Sequence, residues 1–146
     1  MRLDQKTALL SAVLPFRVME PQAVHVVAFS AQERRLQAGG KPFLRGEASD
    51  GGYVIVSGRI ALNPDGVTPM GAETYEAGSL IGETALISET SRPATAIALE
   101  PSLVLAVSRQ VMRQVLEAHP ESAMRLHAHV AAEVARQHGA LAALVS

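Results

Sequence analysis

Glu83 and Arg92 are the charged residues best suited to bind a ligand, and they lie in the segment GETALISETSRPATA at 82–96. The first residues of this segment can form one turn of helix, whose leading backbone N–H groups have no internal partner and carry partial positive charge. Gly82 has no Cβ and Ala85 has a small side chain, so an anion can approach this backbone closely. The guanidinium can hold anionic oxygens with a planar fork, while an ionised glutamate accepts hydrogen bonds from paired hydroxyls. The segment therefore predicts a site for a phosphate joined to a sugar.

Each of these two residues also has a purely structural interpretation. Glu83 can complement a helix dipole, and Arg92 can be a solvated arginine at the edge of a strand. Their occurrence together with Gly and Ala at fixed places, followed directly by the strand-like run ATAIALE, favours the binding site. Nothing near them resembles a nucleophile paired with a base, so the sequence indicates binding without catalysis.

The five histidines do not indicate a metal site. All of them lie in segments that we predict to be helical, whereas a metal-dependent jelly-roll enzyme needs histidines on strands. His127 and His129 are two residues apart and point to different faces of a helix. His129 and Glu133 are four apart and could share an ion, but a solvated helix face is the preferred interpretation. We therefore expect no metal and no enzymatic activity.

Composition limits the class of protein. The chain has 146 residues, 48% of them hydrophobic, and a net charge of −1, which suits one compact domain without a basic face for duplex nucleic acid. The absence of cysteine excludes disulfides and thiolate chemistry. The apolar run TALLSAVLPF is too short for a signal peptide, and no run approaches the length of a membrane span. We expect a cytoplasmic protein with no membrane partner.

The pattern of apolar residues and glycines predicts helices at both ends of a β region. The predicted N-terminal helices lie at 3–13 and about 21–30, and the C-terminal helices lie at about 109–145 with Pro120 between them. Short β-type runs punctuated by glycine suggest an antiparallel sandwich or barrel. The predicted strands are 33–37, 53–57, 60–63, about 67–76 with a hairpin turn at Asp65-Gly66, and the runs ATAIALE and LVLAVS.

These features resemble the cyclic nucleotide-binding domain family, and the segment 82–95 is similar to its phosphate-binding cassette. The residues that match the cassette pattern are Gly82, Glu83, Ala85, Leu86, Arg92, Ala94 and Thr95. A second block upstream also matches the family, at Phe43, Gly46, Glu47, Asp50, Tyr53 and Gly58. The resemblance covers essentially the whole chain. It implies an α+β fold in which an antiparallel β roll at about 33–108 is flanked by helices at about 3–30 and 109–145, all within a single domain of residues 1–146.

The resemblance also implies a role for each cassette residue. Glu83 would accept from the ribose 2′-hydroxyl, and Arg92 would pair with the cyclic phosphate. Gly82 and Ala85 would present backbone to the sugar and phosphate. The complete set of expected ligand-binding residues is Gly82, Glu83, Thr84, Ala85, Arg92, Pro93, Ala94 and Thr95. The expected ligand is cAMP or cGMP, with no other cofactor.

Pro93 departs from the family pattern. The residue after the cassette arginine often donates its N–H to the phosphate, and proline has no N–H. One charge-assisted hydrogen bond is worth roughly 1.5–3 kcal/mol, so its loss predicts affinity reduced about tenfold or more unless another donor compensates. Proline also lacks the hydroxyl that often accepts from the guanine amino group, so we expect cAMP to bind at least as tightly as cGMP.

Three functions remain open on the sequence alone. The first is a cyclic nucleotide sensor that passes its signal to an unidentified effector protein. The second is an interaction module of the same fold whose nucleotide pocket is weak or lost, which Pro93 keeps open. The third is the sensor fragment of a larger transcription regulator, although no DNA binding is expected from a chain that ends with the sensor helices. The last helix carries a thin aliphatic seam through Ala123, His127 and Val130, which suits packing on its own domain, a lid over the ligand or a homodimer contact.

Overall fold

The computed structural model describes residues 1–63 and 73–145, and it describes side chains up to residue 136, with the exception of residue 134. The N-terminal elements are α1 (Leu3–Ser11), a 3-10 turn (Phe16–Val18) and α2 (Pro21–Ser30). The strands that follow are β1 (Gln32–Leu36), β2 (Gly51–Ser57), β3 (Ile60–Asn63), β4 (Glu73–Tyr75), β5 (Leu80–Ile81), β6 (Thr95–Ala98) and β7 (Ser102–Ser108). A 3-10 helix (Thr84–Leu86) lies between β5 and β6, and the chain continues with α3 (Arg109–Ala118) and α4 (Pro120–Val145).

The strands form two antiparallel sheets. One has the order β1-β7-β2-β5 and the other the order β4-β3-β6. Isolated bridges between Phe43 and Ala96 and between Ala48 and Ser91 extend the pairing toward the cassette segment. The fold is therefore the predicted antiparallel β roll with helices at both ends.

Strand β2 is buried on both faces because it separates two apolar clusters. Val54 packs with residues of α1, α2 and α3, such as Leu10 and Met112. Tyr53 and Ile55 point the other way, into the interior of the roll. Successive side chains of a strand alternate between faces, so a continuous apolar run such as YVIV is what a strand between two cores requires.

Most predicted strands are confirmed within the residues that the structure describes. The run at 60–63 coincides with β3, and the predicted strand at 33–37 is β1 shifted by one residue. Part of the predicted strand at about 67–76 is observed as β4, while its beginning and the Asp65-Gly66 turn lie outside the described residues. The two-residue strand β5 was not predicted, because so short a pairing leaves no alternation to detect in sequence.

The C-terminal helices begin where local chemistry places them. The side chain of Ser108 accepts a hydrogen bond from the Val111 amide and caps α3. Pro120 then opens α4, at the helix position where its missing N–H has no cost. None of the helices among the described residues is long and apolar enough to cross a membrane.

The buried face of α4 differs from the predicted seam. Leu126 and Ser122 are buried, Ala123 and Val130 are half-buried, and His127 is exposed, which corrects the expectation that His127 belongs to the packed stripe. The hydroxyl of Ser122 accepts from the Glu20 amide at 2.8 Å and so fixes the rotation of the helix. A tertiary hydrogen bond of this kind leaves no signature in the apolar periodicity.

Candidate functional site

The cassette segment starts with a glycine that has a left-handed backbone. Gly82 follows β5 with a φ of +85°, a conformation that glycine adopts without steric cost. The Ala85 amide donates to the Gly82 oxygen and the Leu86 amide to the Glu83 oxygen, both at 3.1 Å. The predicted helical turn near 82–86 is therefore confirmed as a 3-10 helix. The amides of Glu83 and Thr84 precede its first bonded donor, as expected at a helix N-terminus.

Arg92 is buried inside the roll, with 4% of the residue exposed. Its Nη2 donates to the Gly51 oxygen at 2.7 Å, and the guanidinium carbon lies 4.2 Å from the centre of the Phe43 ring. Asp50 is its nearest carboxylate, with an N···O distance of 3.6 Å. This burial argues against the alternative interpretation of Arg92 as a solvated arginine, because the cation is held by a carbonyl, an aromatic face and one acidic neighbour.

Burial is the largest influence on the Arg92 guanidinium and lowers its pKa from the ordinary value. Tyr53, Asp50 and Glu47 act in the opposite direction and raise that pKa. Arginine stays protonated in proteins, so the site holds a permanent positive charge in a place with little water.

Gly82 and Arg92, which lie apart in sequence, meet in the structure. A Cβ added at Gly82 would lie 2.8 Å from Nη1 of Arg92, closer than side-chain atoms pack. Glycine is therefore required here twice, once for its backbone angle and once for the space that the guanidinium occupies.

The upstream block that matched the family holds the arginine in place. The Arg92 amide donates to the Glu47 oxygen and the Gly46 amide donates to the Arg92 oxygen, both at 2.8 Å. The amide of Arg45 donates to the Thr95 hydroxyl at 2.9 Å. The role of this block is to pair with the chain on both sides of Arg92, and the Thr95 hydroxyl already has a partner.

Glu83 contacts the last helix. Its Oε1 lies 2.9 Å from Nε2 of His129, whose side chain is 11% exposed, while that of Glu83 is 42% exposed. The interpretation of His129 as part of a solvated face is therefore wrong. Arg136, further along the same helix, pairs with Glu133.

The remaining predicted site residues differ in their surroundings. Ala85 and Ala94 are buried, whereas Thr84 and Pro93 are exposed. The Thr84 oxygen accepts from the amides of Ile87 and Ser88 and so closes the cassette turn. The structure thus places Gly82, Glu83 and Arg92 around the start of the turn, with Pro93 directed to the surface.

A cavity of about 260 Å³ is lined in part by residues that contact Arg92, but Arg92 itself is not in its lining. Its lining includes Asp50 and Tyr53, which also contact Arg92, together with Arg34 of β1. Arg34 donates to the Tyr53 hydroxyl at 3.3 Å, so the cavity holds a second cation that the sequence did not single out. The lining does not include Glu83, and a ligand that touched Arg92 and Glu83 together would therefore extend outside this space.

The part of the chain that the structure describes contains no group of side chains suited to bind a metal ion. Within that part, no three His, Asp or Glu side chains are grouped so that they could hold an ion.

Comparison with known proteins places this geometry in a family. The model of the cyclic nucleotide-binding domain matches residues 33–119. A cAMP-dependent protein kinase regulatory subunit from Yarrowia lipolytica is 30% identical over 101 residues, which are 69% of this chain and 26% of that relative. The chain therefore belongs to the cyclic nucleotide-binding domain family, and it spans about a quarter of the length of this curated relative.

Two solved structures are similar to this fold. A cyclic nucleotide-binding-like protein from Brucella abortus has 32% sequence identity and a TM-score of 0.68, over 78% of this chain and 99% of its own. The N-terminal domain of a transcriptional regulator from Streptomyces coelicolor A3(2) has 26% identity and a TM-score of 0.80, over 91% of this chain and 94% of its own.

Proposed function

We propose that this chain binds a 3′,5′-cyclic nucleotide as a non-catalytic regulatory module. The observation that supports it most is the buried Arg92 guanidinium lying against Gly82 at the start of the cassette turn. Among the described residues, its hydrogen bond is made by Nη2, which leaves the donors of Nη1 and Nε for an anion. A cyclic phosphate would supply the charged partner that this buried cation has only partly in Asp50.

The sugar would bind at Glu83. One oxygen of the carboxylate faces His129, and a carboxylate has a second oxygen and further lone pairs that can accept from a ribose hydroxyl. The expected binding residues of the turn, Gly82, Thr84 and Ala85, would offer backbone close to the phosphate. Ala94 and Thr95 would begin the strand that follows the arginine and lines the pocket.

The base preference follows from Pro93. Its position after Arg92 offers neither an N–H to the phosphate nor a hydroxyl to the guanine amino group. A buried donor left without an acceptor costs roughly 1–3 kcal/mol, a penalty that adenine does not carry at this point. We therefore propose cAMP as the preferred ligand over cGMP.

The output of the module would be another protein. The Yarrowia relative is a regulatory subunit of a kinase, and this chain corresponds to a fraction of it. An unidentified effector in the cytoplasm is the partner that this role requires, and no DNA or membrane contact is proposed. A homodimer through α4 remains an alternative arrangement of the same module.

A second candidate is the sensor part of a transcription regulator. The observation that favours it is the TM-score of 0.80 to the N-terminal domain of the Streptomyces regulator. In that case the ligand and the pocket would be the same, and the effector would be a DNA-binding region.

Calorimetric titration of the purified chain with cAMP and cGMP tests the proposal. We expect saturable binding of both, with cAMP at least as tight. Arg92→Ala should weaken binding by more than about a hundredfold, because it removes one member of a buried charge pair worth several kcal/mol. Arg113→Ala, an exposed arginine of α3, serves as the control and should leave the affinity unchanged.

Two results would contradict the proposal. Absence of heat with either nucleotide, from a chain that unfolds cooperatively, would favour the interaction module with a lost pocket. Unchanged affinity in a folded Arg92→Ala variant would place the binding site elsewhere.

A further inference from the structure

Arg109 joins the cassette turn to the third helix. It is the first residue of α3, and its Nη1 lies within 3.3 Å of three backbone oxygens, those of Ser49, Ala85 and Ser88. The Ser49 hydroxyl is a fourth neighbour at 3.4 Å. One guanidinium nitrogen thus connects the segment before β2, the 3-10 helix of the cassette and the residues that follow it.

The backbone oxygens of Ala85 and Ser88 lie at the end of the cassette turn and accept no hydrogen bond from within the turn. Carbonyls at a helix C-terminus have no internal donor and carry partial negative charge, so a cation there both satisfies and stabilises them. The start of the same turn carries Glu83 and the free amides. Arg109 therefore holds the end of the turn that faces away from the proposed ligand.

The position of Arg109 is itself fixed by the segment before β2. Its backbone amide donates to the Asp50 oxygen at 2.7 Å, and Asp50 is the acidic neighbour of Arg92. Ser49 is buried and its hydroxyl lies 3.0 Å from that of Thr90, two residues before the cassette arginine. The same short segment therefore positions both arginines.

We propose that Arg109 is a positioning residue for the nucleotide site, which fixes the cassette turn against α3 without touching the ligand. This inference rests on the proposed function and adds a residue that neither the cassette pattern nor the charge balance singles out.

Binding of cAMP and of 2′-deoxy-cAMP to Arg109 variants tests the inference. Arg109→Ala should weaken cAMP binding roughly tenfold and should also reduce the preference for cAMP over its 2′-deoxy analogue, because Glu83 would no longer be held in place. Arg109→Lys keeps the charge and should restore part of that preference. Arg113→Ala removes a positive charge from the same helix, one turn away, and should leave both affinities unchanged.

The discrimination between the two nucleotides separates positioning from general destabilisation. A loss of folded protein lowers both affinities together and leaves their ratio unchanged, so an unaltered ratio in Arg109→Ala would overturn the inference. Equal behaviour of the Arg109→Ala and Arg113→Ala variants would attribute the effect to charge alone and would also overturn it.

Hydrogen exchange in the absence of nucleotide gives an independent readout. The amides of Leu86, Ile87 and Ser88 are hydrogen-bonded within the turn, and Arg109→Ala should make them exchange about tenfold faster while the amides of β7 stay protected. Unchanged exchange at these amides would contradict a positioning role. Because this measurement needs no ligand, it remains decisive even if the titration shows that the chain binds no cyclic nucleotide.

Discussion

At the scale of single residues, the site depends on a cation and a glycine that occupy adjoining space. Arg92 contacts the Phe43 ring and the Gly51 oxygen, and its Nη1 occupies the space where a side chain at Gly82 would begin, so it has little freedom to move aside. Such a group is already dehydrated and oriented before any anion arrives. Preorganisation of this kind lowers the cost of binding, because little side-chain freedom remains to be lost.

Gly82→Ala should therefore damage binding more than stability. The left-handed backbone at this position costs an L-residue about 1–2 kcal/mol, and the new methyl would also displace Nη1 of Arg92. Gly78→Ala is a matched control, since Gly78 has a φ of +88° and nothing within 4 Å of its Cβ position. Thermal unfolding should show similar losses for both variants, while only Gly82→Ala weakens cAMP binding more than about tenfold. Equal affinities of the two variants would contradict the steric argument.

Pro93 offers a second test at this scale. Pro93→Ala restores a backbone donor beside Arg92 without a hydroxyl and should tighten cAMP and cGMP by similar factors, about tenfold for one charged hydrogen bond. Pro93→Thr adds the hydroxyl and should raise the affinity for cGMP further than that for cAMP. Competition against a fluorescent cAMP analogue measures both. If the wild-type chain already prefers cGMP, the argument from Pro93 fails.

At the scale of elements, the cassette turn is held from two sides by the C-terminal helices. Arg109 of α3 contacts the end of the turn, and His129 of α4 contacts Glu83 at its start. An ionised carboxylate only accepts, so the histidine nitrogen is the donor of this pair. The orientation of the Glu83 side chain, and with it the proposed contact with a ribose hydroxyl, consequently depends on where α4 lies.

A double-mutant cycle between α4 and the cassette tests this dependence. His129→Ala should weaken cAMP binding several-fold, and it should have no further effect in a Glu83→Ala background, which gives a coupling energy of about 0.5–3 kcal/mol. His127→Ala is the control, since that side chain is exposed on the same helix two residues earlier. Additive effects of His129→Ala and Glu83→Ala would show that the observed contact has no part in binding.

At the scale of the whole molecule, we expect the output of the proposed module to be directed to a protein rather than to DNA. The net charge of −1 gives the chain no excess of positive charge, whereas nucleic-acid affinity depends mainly on neutralising phosphates. The hydrogen bond between Ser122 and Glu20 joins the N-terminal and C-terminal helices on one side of the roll. A shift of α3 or α4 would therefore also displace the N-terminal helices. We expect an effector protein to bind the surface that these helices form.

Electrophoretic mobility shift with duplex DNA tests the charge argument. We expect no specific complex at moderate salt, with or without cAMP, because the 13 Lys and Arg are balanced by 14 Asp and Glu and so provide no net positive charge to release counterions from the duplex. A basic DNA-binding domain assayed in parallel shows that the conditions can detect a complex. A salt-resistant and sequence-selective complex of this chain would instead support the transcription regulator.

From the sequence alone we could predict the β roll between helices, the helical turn of the cassette and the occurrence of Gly82 and Arg92 in one site. These features are local or periodic: the glycine turns, the continuous apolar run of β2 and the order of Gly-Glu and Arg all lie within short windows. Composition alone also argued against thiol chemistry and a basic surface.

The distant residues that contact the cassette could be identified only from the folded structure. His129 and Arg109 contact the cassette although they lie far from it in the sequence. The sequence does not show whether the side chain of an arginine or histidine on a helix contacts water or an oxygen atom of the protein. The burial of Arg92 could not be predicted either, because it depends on the Phe43 ring and the Gly51 oxygen, which come from another part of the chain. Contacts of this kind are set by how the helices pack on the roll, and no local pattern records that packing.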